Sequence, residues 1–132
     1  MIMRYIVKNV VENYLKKSNE IIEMGGAVDM EPLSAVRNAE NYASTFNYIL
    51  TQLSRTGKIK LLYELAQISF DAVFDFEQEF VVGALKTHDL EIQEFALNTL
   101  EIWNSKSLIE RIGEVKIGNT FLQKEYDNLL RN

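Results

Sequence analysis

Asp71, Asp75 and Glu79 recur at intervals of four, so on a helix they share one face. Carboxylates grouped in this way can serve as general acid and base, or hold a divalent cation in an oxygen cage. The other groups that such chemistry needs are scarce. The single histidine, His88, adjoins Asp89 in a short polar corner, and no H-x-x-x-H or H-E-x-x-H spacing accompanies it. The E-x-x-H pairs of di-iron bundles are absent. Gly25-Gly26 is not followed by Lys-Ser/Thr, and neither G-x-G-x-x-G nor G-x-S-x-G occurs. With no cysteine, disulfides and thiolate zinc sites are excluded. A site needs several convergent groups. The expectation is therefore no catalytic residue, no metal and no cofactor. A metal-dependent enzyme built on the carboxylates is the outlying alternative.

The acids have a second use. The formal charge is −5, and it is concentrated: residues 71–104 carry eight acids and one base, Lys86, while the flanks are each close to neutral. The stretch DAVFDFEQEF, residues 71–80, sets four acids among large apolar side chains. Acids in a first helical turn are favoured by the helix dipole, which accounts for Asp75, Glu77, Asp89 and Glu91. It does not account for Glu79, Glu94 and Glu101. Glu91, Glu94, Asn98 and Glu101 step by three, four and three, a stripe without a lysine. Like charges at that spacing cost a few tenths of a kcal/mol each, roughly. A solubilising face is the plainer explanation, and a surface kept for a basic protein is the more specific one. The contact residues expected on that reading are Asp71, Asp75, Glu77, Glu79, Glu91, Glu94, Asn98 and Glu101. Direct binding of nucleic acid is disfavoured, because phosphates need a basic face.

The elements that position these residues are helical. One proline and six glycines punctuate 132 residues, a length suited to a single domain, residues 1–132, with a real core. Met3, Val7, Val10, Tyr14 and Ile21 give a first helix ending at Gly25-Gly26, followed by the loop GGAVDMEP and by Pro32 at a helix start. Val36, Ala39, Ala43, Phe46, Leu50 and Leu53 predict one continuous apolar stripe over about five turns. Asn38, Asn41, Thr45, Tyr48 and Gln52 fall on its polar side. RTGK, residues 55–58, ends it, and a third helix follows over 59–70. Asp75 with Gln78 reads as a capping box for a fourth helix from about 76 to 86, with Phe74, Phe76 and Phe80 anchored inward. Asp89 caps a fifth, 90–103. Ser107 with Glu110 and Thr120 with Gln123 start a sixth and a seventh. EVKIGN, 114–119, reads as a linker. The fold class is all-α, about seven helices. The chain lacks an apolar run long enough for a membrane span, and charges interrupt its first residues as no signal peptide would allow. A cytoplasmic protein with no membrane contact is expected.

The segment DLEIQEFALNTLEIW is apolar on two sides. Ile92, Phe95, Ala96, Leu100 and Trp103 form one face, and Leu90 and Leu97 lie elsewhere. It resembles the second helix of a HEAT repeat through Asp89, Ala96 and Leu100, with Gln93 where that family often has arginine. The resemblance covers about residues 75–103 and implies stacked helical hairpins acting as a binding scaffold. In size, charge and absence of cysteine the chain also resembles bacterial immunity proteins. That likeness implies a monomer that blocks a basic cognate toxin, commonly a nuclease, in the cytoplasm of the producing cell, as in contact-dependent growth inhibition. The alternative is a regulatory adaptor that oligomerises through an apolar edge at Leu90 and Leu97.

Overall fold

Residues 5–20 and 33–131 are described by the computed structural model, and among them helices are the only regular structure. They are α1 (Tyr5–Asn19), α2 (Leu33–Arg37), α3 (Tyr42–Gln52), α4 (Arg55–Ala66), α5 (Asp75–Leu85), α6 (Leu90–Trp103), α7 (Lys106–Ile112) and α8 (Thr120–Arg131), with one 3₁₀ turn, Phe70–Ala72, before α5. Met3, the side chain of Val7, Ile21, Gly25-Gly26 and Pro32 lie outside the described residues. The chain divides inside α4 into two compact units, Met1–Leu61 and Leu62–Asn132.

In the first unit α1, α2 and α3 pack on one another. Among the described side chains of α1, Val11, Tyr14 and Ser18 are buried: Tyr14 faces inward as expected, with Val11 rather than Val10 beside it. The expected five-turn helix is broken in two. Asn41 takes a left-handed conformation, φ 61° and ψ 37°, which asparagine tolerates better than most residues. The break shifts the register. Ala43 becomes exposed, while Tyr42, Thr45, Phe46 and Ile49 turn inward, the Tyr42 and Phe46 rings meeting edge to face at 5.7 Å. Thr45, expected on the polar side, is thus core.

RTGK does not end a helix; it forms the first turn of α4. Ser54 caps that turn, its Oγ accepting from the Gly57 amide at 3.1 Å. Asn19, at the end of α1, locks the α3–α4 corner: its Nδ2 donates to Gln52 O at 3.1 Å and its Oδ1 accepts from Ser54 N at 2.8 Å. The approach at Gly57 is close: a Cβ there would stand 2.5 Å from Asn19 Oδ1 and 2.7 Å from Leu53 Cδ2, so a larger residue would displace the Asn19 bridge. Lys60 is only 1% exposed, and its ammonium donates to Lys17 O and Glu20 O, each at 2.8 Å. A cation is thereby held at the carbonyl end of α1, where the helix dipole favours it.

In the second unit α5 pairs with α6, and α8 packs on both α6 and α7. Asp89 caps α6 as expected, its Oδ1 accepting from Glu91 N and Ile92 N, both at 3.1 Å. Gln93 is buried. Its Nε2 donates to Leu85 O at 3.2 Å and Thr87 O at 2.6 Å, giving the carbonyl end of α5 a partner. Two further donors reach from α6 to the end of α4: Trp103 Nε1 to Leu65 O at 3.0 Å, and Thr99 Oγ to Leu62 O at 3.1 Å.

Several local expectations are corrected. The residue capping α5 is Phe74, not Asp75, and Glu77 Oε1 accepts from the Phe74 amide at 2.9 Å. That register buries Val73, Glu77, Gln78 and Val81 and leaves Phe74 and Phe76 stacked on each other, with Phe74 exposed. Ser105 rather than Ser107 caps α7, and Asn119 rather than Thr120 caps α8. Gln123 instead holds the 114–119 linker, accepting from Ile117 N at 2.6 Å and donating to Val115 O at 2.9 Å.

Replacing Lys60 by methionine keeps the stem and removes the donors to two helix-end carbonyls. Urea unfolding should show a loss of about 1–3 kcal/mol. Gln93→Met removes the two donations to the end of α5 in the same way. A loss of similar size, about 1–3 kcal/mol, is expected. Amide exchange should report it first at residues 84–89.

Candidate functional site

Seven of the eight expected contact residues are exposed, and one, Glu77, is not. Glu77 is fully buried and serves as the helix-start acceptor described above, so it is withdrawn from any contact face. Asp71, in the 3₁₀ turn, lines a groove with Phe70, Ile102, Trp103 and Ser105, where the Phe70 and Trp103 rings lie 5.6 Å apart. Asp75 and Glu79 are exposed on α5, and Glu91 is exposed on the first turn of α6. His88 is exposed in the corner between α5 and α6. Leu97 is buried, so the apolar edge expected from Leu90 with Leu97 reduces to Leu90 alone, which is 50% exposed.

Glu94, Asn98 and Glu101 are brought together. They form one wall of a groove of ≈ 220 Å³ between α6 and α8. The periodicity of α6 explains that wall: its buried positions, Ala96, Leu97, Leu100 and Trp103, turn the alternate stripe outward. The opposite wall comes from α8 and was not anticipated from the sequence. Phe121 and Glu125, four residues apart, present a ring and a carboxylate to the same space, over a floor that includes Phe95, Leu97 and Leu122. Phe121 is 67% exposed.

Core contacts and hydrogen bonds together hold α8 in place. Leu122 and Tyr126 face the core. The Tyr126 hydroxyl donates to the carbonyl of Gly113, and burial, with the Asp127 charge second, holds that phenol above its usual range. Gly113 itself ends α7 at φ 70° and ψ −151°, a conformation open to glycine. The same end of the unit is braced from α5, where Gln78 Oε1 accepts from Arg111 Nη2 at 3.0 Å.

The groove is electrostatically unusual for its size. Glu101 on α6 and Glu125 on α8 line the groove as close neighbours. Glu101 is raised above the ordinary carboxyl range by burial first, then by the neighbouring Glu125 side chain and its charge. No lysine or arginine lines the groove. Its chemistry is that of an acceptor-rich, partly apolar cleft, suited to a cation that carries an apolar stem. Among the described residues no group of three or more His, Cys, Asp or Glu is placed to hold a metal ion. No described helix is long and apolar enough to cross a membrane.

A carboxyl raised in the folded state keeps its proton after the unfolded chain has lost its own. Its contribution to stability therefore falls as pH rises from the ordinary carboxyl range through the raised value. Glu101→Gln should raise Tm at pH 7 and leave it unchanged at about pH 3.5, below the ordinary carboxyl range. The gain should stay under about 1 kcal/mol, because Glu101 is largely solvated and screened. Thermal melts across pH check this. No protein-family model, curated protein or solved structure matches the chain.

Proposed function

We propose that this protein is a non-catalytic binding module that receives a basic protein partner on the α6–α8 groove. The observation that carries the reading is the pairing of Glu101 with Glu125 across two helices, in a groove that Glu94 and Asn98 extend. A folded chain that keeps two like-charged side chains in contact on its surface gives up stability there. A cationic ligand recovers it. Charge complementarity of this kind raises association rates and selects the partner.

The setting that fits is the immunity protein: a small acidic chain, monomeric until it meets its toxin, occluding the basic surface with which a nuclease holds its substrate. In that role it acts in the bacterial cytoplasm, needs no cofactor, and touches neither nucleic acid nor membrane. The α5–α6 pair, joined through the Asp89 corner, is the unit that would correspond to a HEAT-type hairpin, with Gln93 serving its own corner instead of a ladder to a neighbour. The adaptor reading loses its main support with the burial of Leu97, and a second copy of so acidic a groove is a poor ligand for the first.

Capture from native lysate tests the reading. The retained protein should be basic, and its toxicity on expression should be relieved by this chain. Glu94→Lys with Glu101→Lys should slow association about tenfold or more at low salt and flatten its salt dependence. An acidic or neutral partner, or an unchanged association rate, refutes the reading.

A further inference from the structure

We infer that the groove is built for one arginine side chain of the partner, laid across Phe121 and held between Glu101 and Glu125. This rests on the reading above and specifies its ligand. Size comes first. At ≈ 220 Å³ the groove falls below the about 300–1,000 Å³ of small-molecule sites, so it suits a single side chain better than a cofactor or metabolite. The second observation is Phe121. A phenylalanine that is 67% exposed contributes little to the core, and the faces of α8 that do so are carried by Leu122 and Tyr126. Phe121 lies one helical turn from Glu125 on the same side of α8, so the ring and the carboxylate address the same ligand.

A guanidinium matches this arrangement better than an ammonium. It is planar, stacks on an aromatic face, and presents donors in a fork that can serve two carboxylates at once. Asn98 offers a further side-chain carbonyl, and the apolar floor at Leu97 and Leu122 accommodates the methylene stem. Both carboxylates then act as acceptors for the guanidinium. Two copies pairing groove to groove are excluded by charge, since neither wall carries a base.

The probe is the peptide acetyl-Leu-Arg-Leu-amide, titrated into the ¹⁵N-labelled full chain. Amide shifts should centre on residues 94–101 and 121–125. The twin with neutral citrulline in place of arginine should bind about tenfold or more weakly, since it forfeits the charge-assisted bonds and the stacking. Phe121→Leu and Glu125→Gln should each weaken the arginine peptide several-fold. Both are mild changes at solvated positions, and the spectrum of each free variant reports its fold directly. Equal binding of the citrulline twin, shifts centred instead on Asp75 and Glu79, or competition by millimolar Ca²⁺ that abolishes peptide binding, overturns the inference. Measurements on the captured partner separate the two levels. If Glu94→Lys slows its association while Phe121→Leu and Glu125→Gln leave its affinity unchanged, the arginine site is wrong and the acidic-surface reading stands. If the partner is not basic, the broader reading fails, and the peptide titration still decides what the groove recognises.

Discussion

Every α-helix ends in carbonyl groups that its own backbone cannot satisfy, and this chain meets that constraint with side chains sent from other helices. Lys60 of α4 donates to the end of α1, and Asn19 of α1 donates to the end of α3. Trp103 of α6 serves the end of α4, Gln93 of α6 serves the end of α5, and Tyr126 of α8 serves the end of α7. Each bond contributes only about 1 kcal/mol net. Their structural effect is larger, because each fixes one helix against another along the axis as well as around it. Interdigitated apolar side chains hold two helices in register as well, and the directional bonds add one specific pairing to each contact.

That division of labour explains what could be read along the chain. Helix starts are local: a short acceptor side chain sits two or three residues before the amides it serves, so Asp89 is recognisable in the sequence and α6 begins and ends where its apolar spacing places it. Helix ends are served over tens of residues, and nothing near Lys60 or Trp103 announces which carbonyl it will reach. The break at Asn41 was hidden for a related reason. Asn38 and Asn41 both lie in the stretch, each a weak signal by itself, and nothing local marks Asn41 as the one that turns left-handed. Thr45 and Ala43 exchanged inside and outside as a result.

The acidic block was legible as composition, but the placement of its members was not. Counting charges along residues 71–104 treats them as one set. The fold sends Glu77 inward to cap α5, assigns Asp71 to a separate aromatic groove, and keeps Glu94, Asn98 and Glu101 for the cleft beside α8. The stripe on α6 followed from helical spacing. Its counterpart, Phe121 with Glu125, lies in a segment of near-neutral charge. Only tertiary packing makes it a wall.

One anchor of that wall is a bend of the backbone. Gly113 supplies both the bend, in a region of conformational space that a side chain closes off, and the carbonyl on which Tyr126 fastens. A lineage that replaced this glycine would keep every acid of α6 and strain the bend from which the Tyr126 anchor hangs. Whatever ligand the cleft serves, selection on it would be felt at a residue that never touches the ligand.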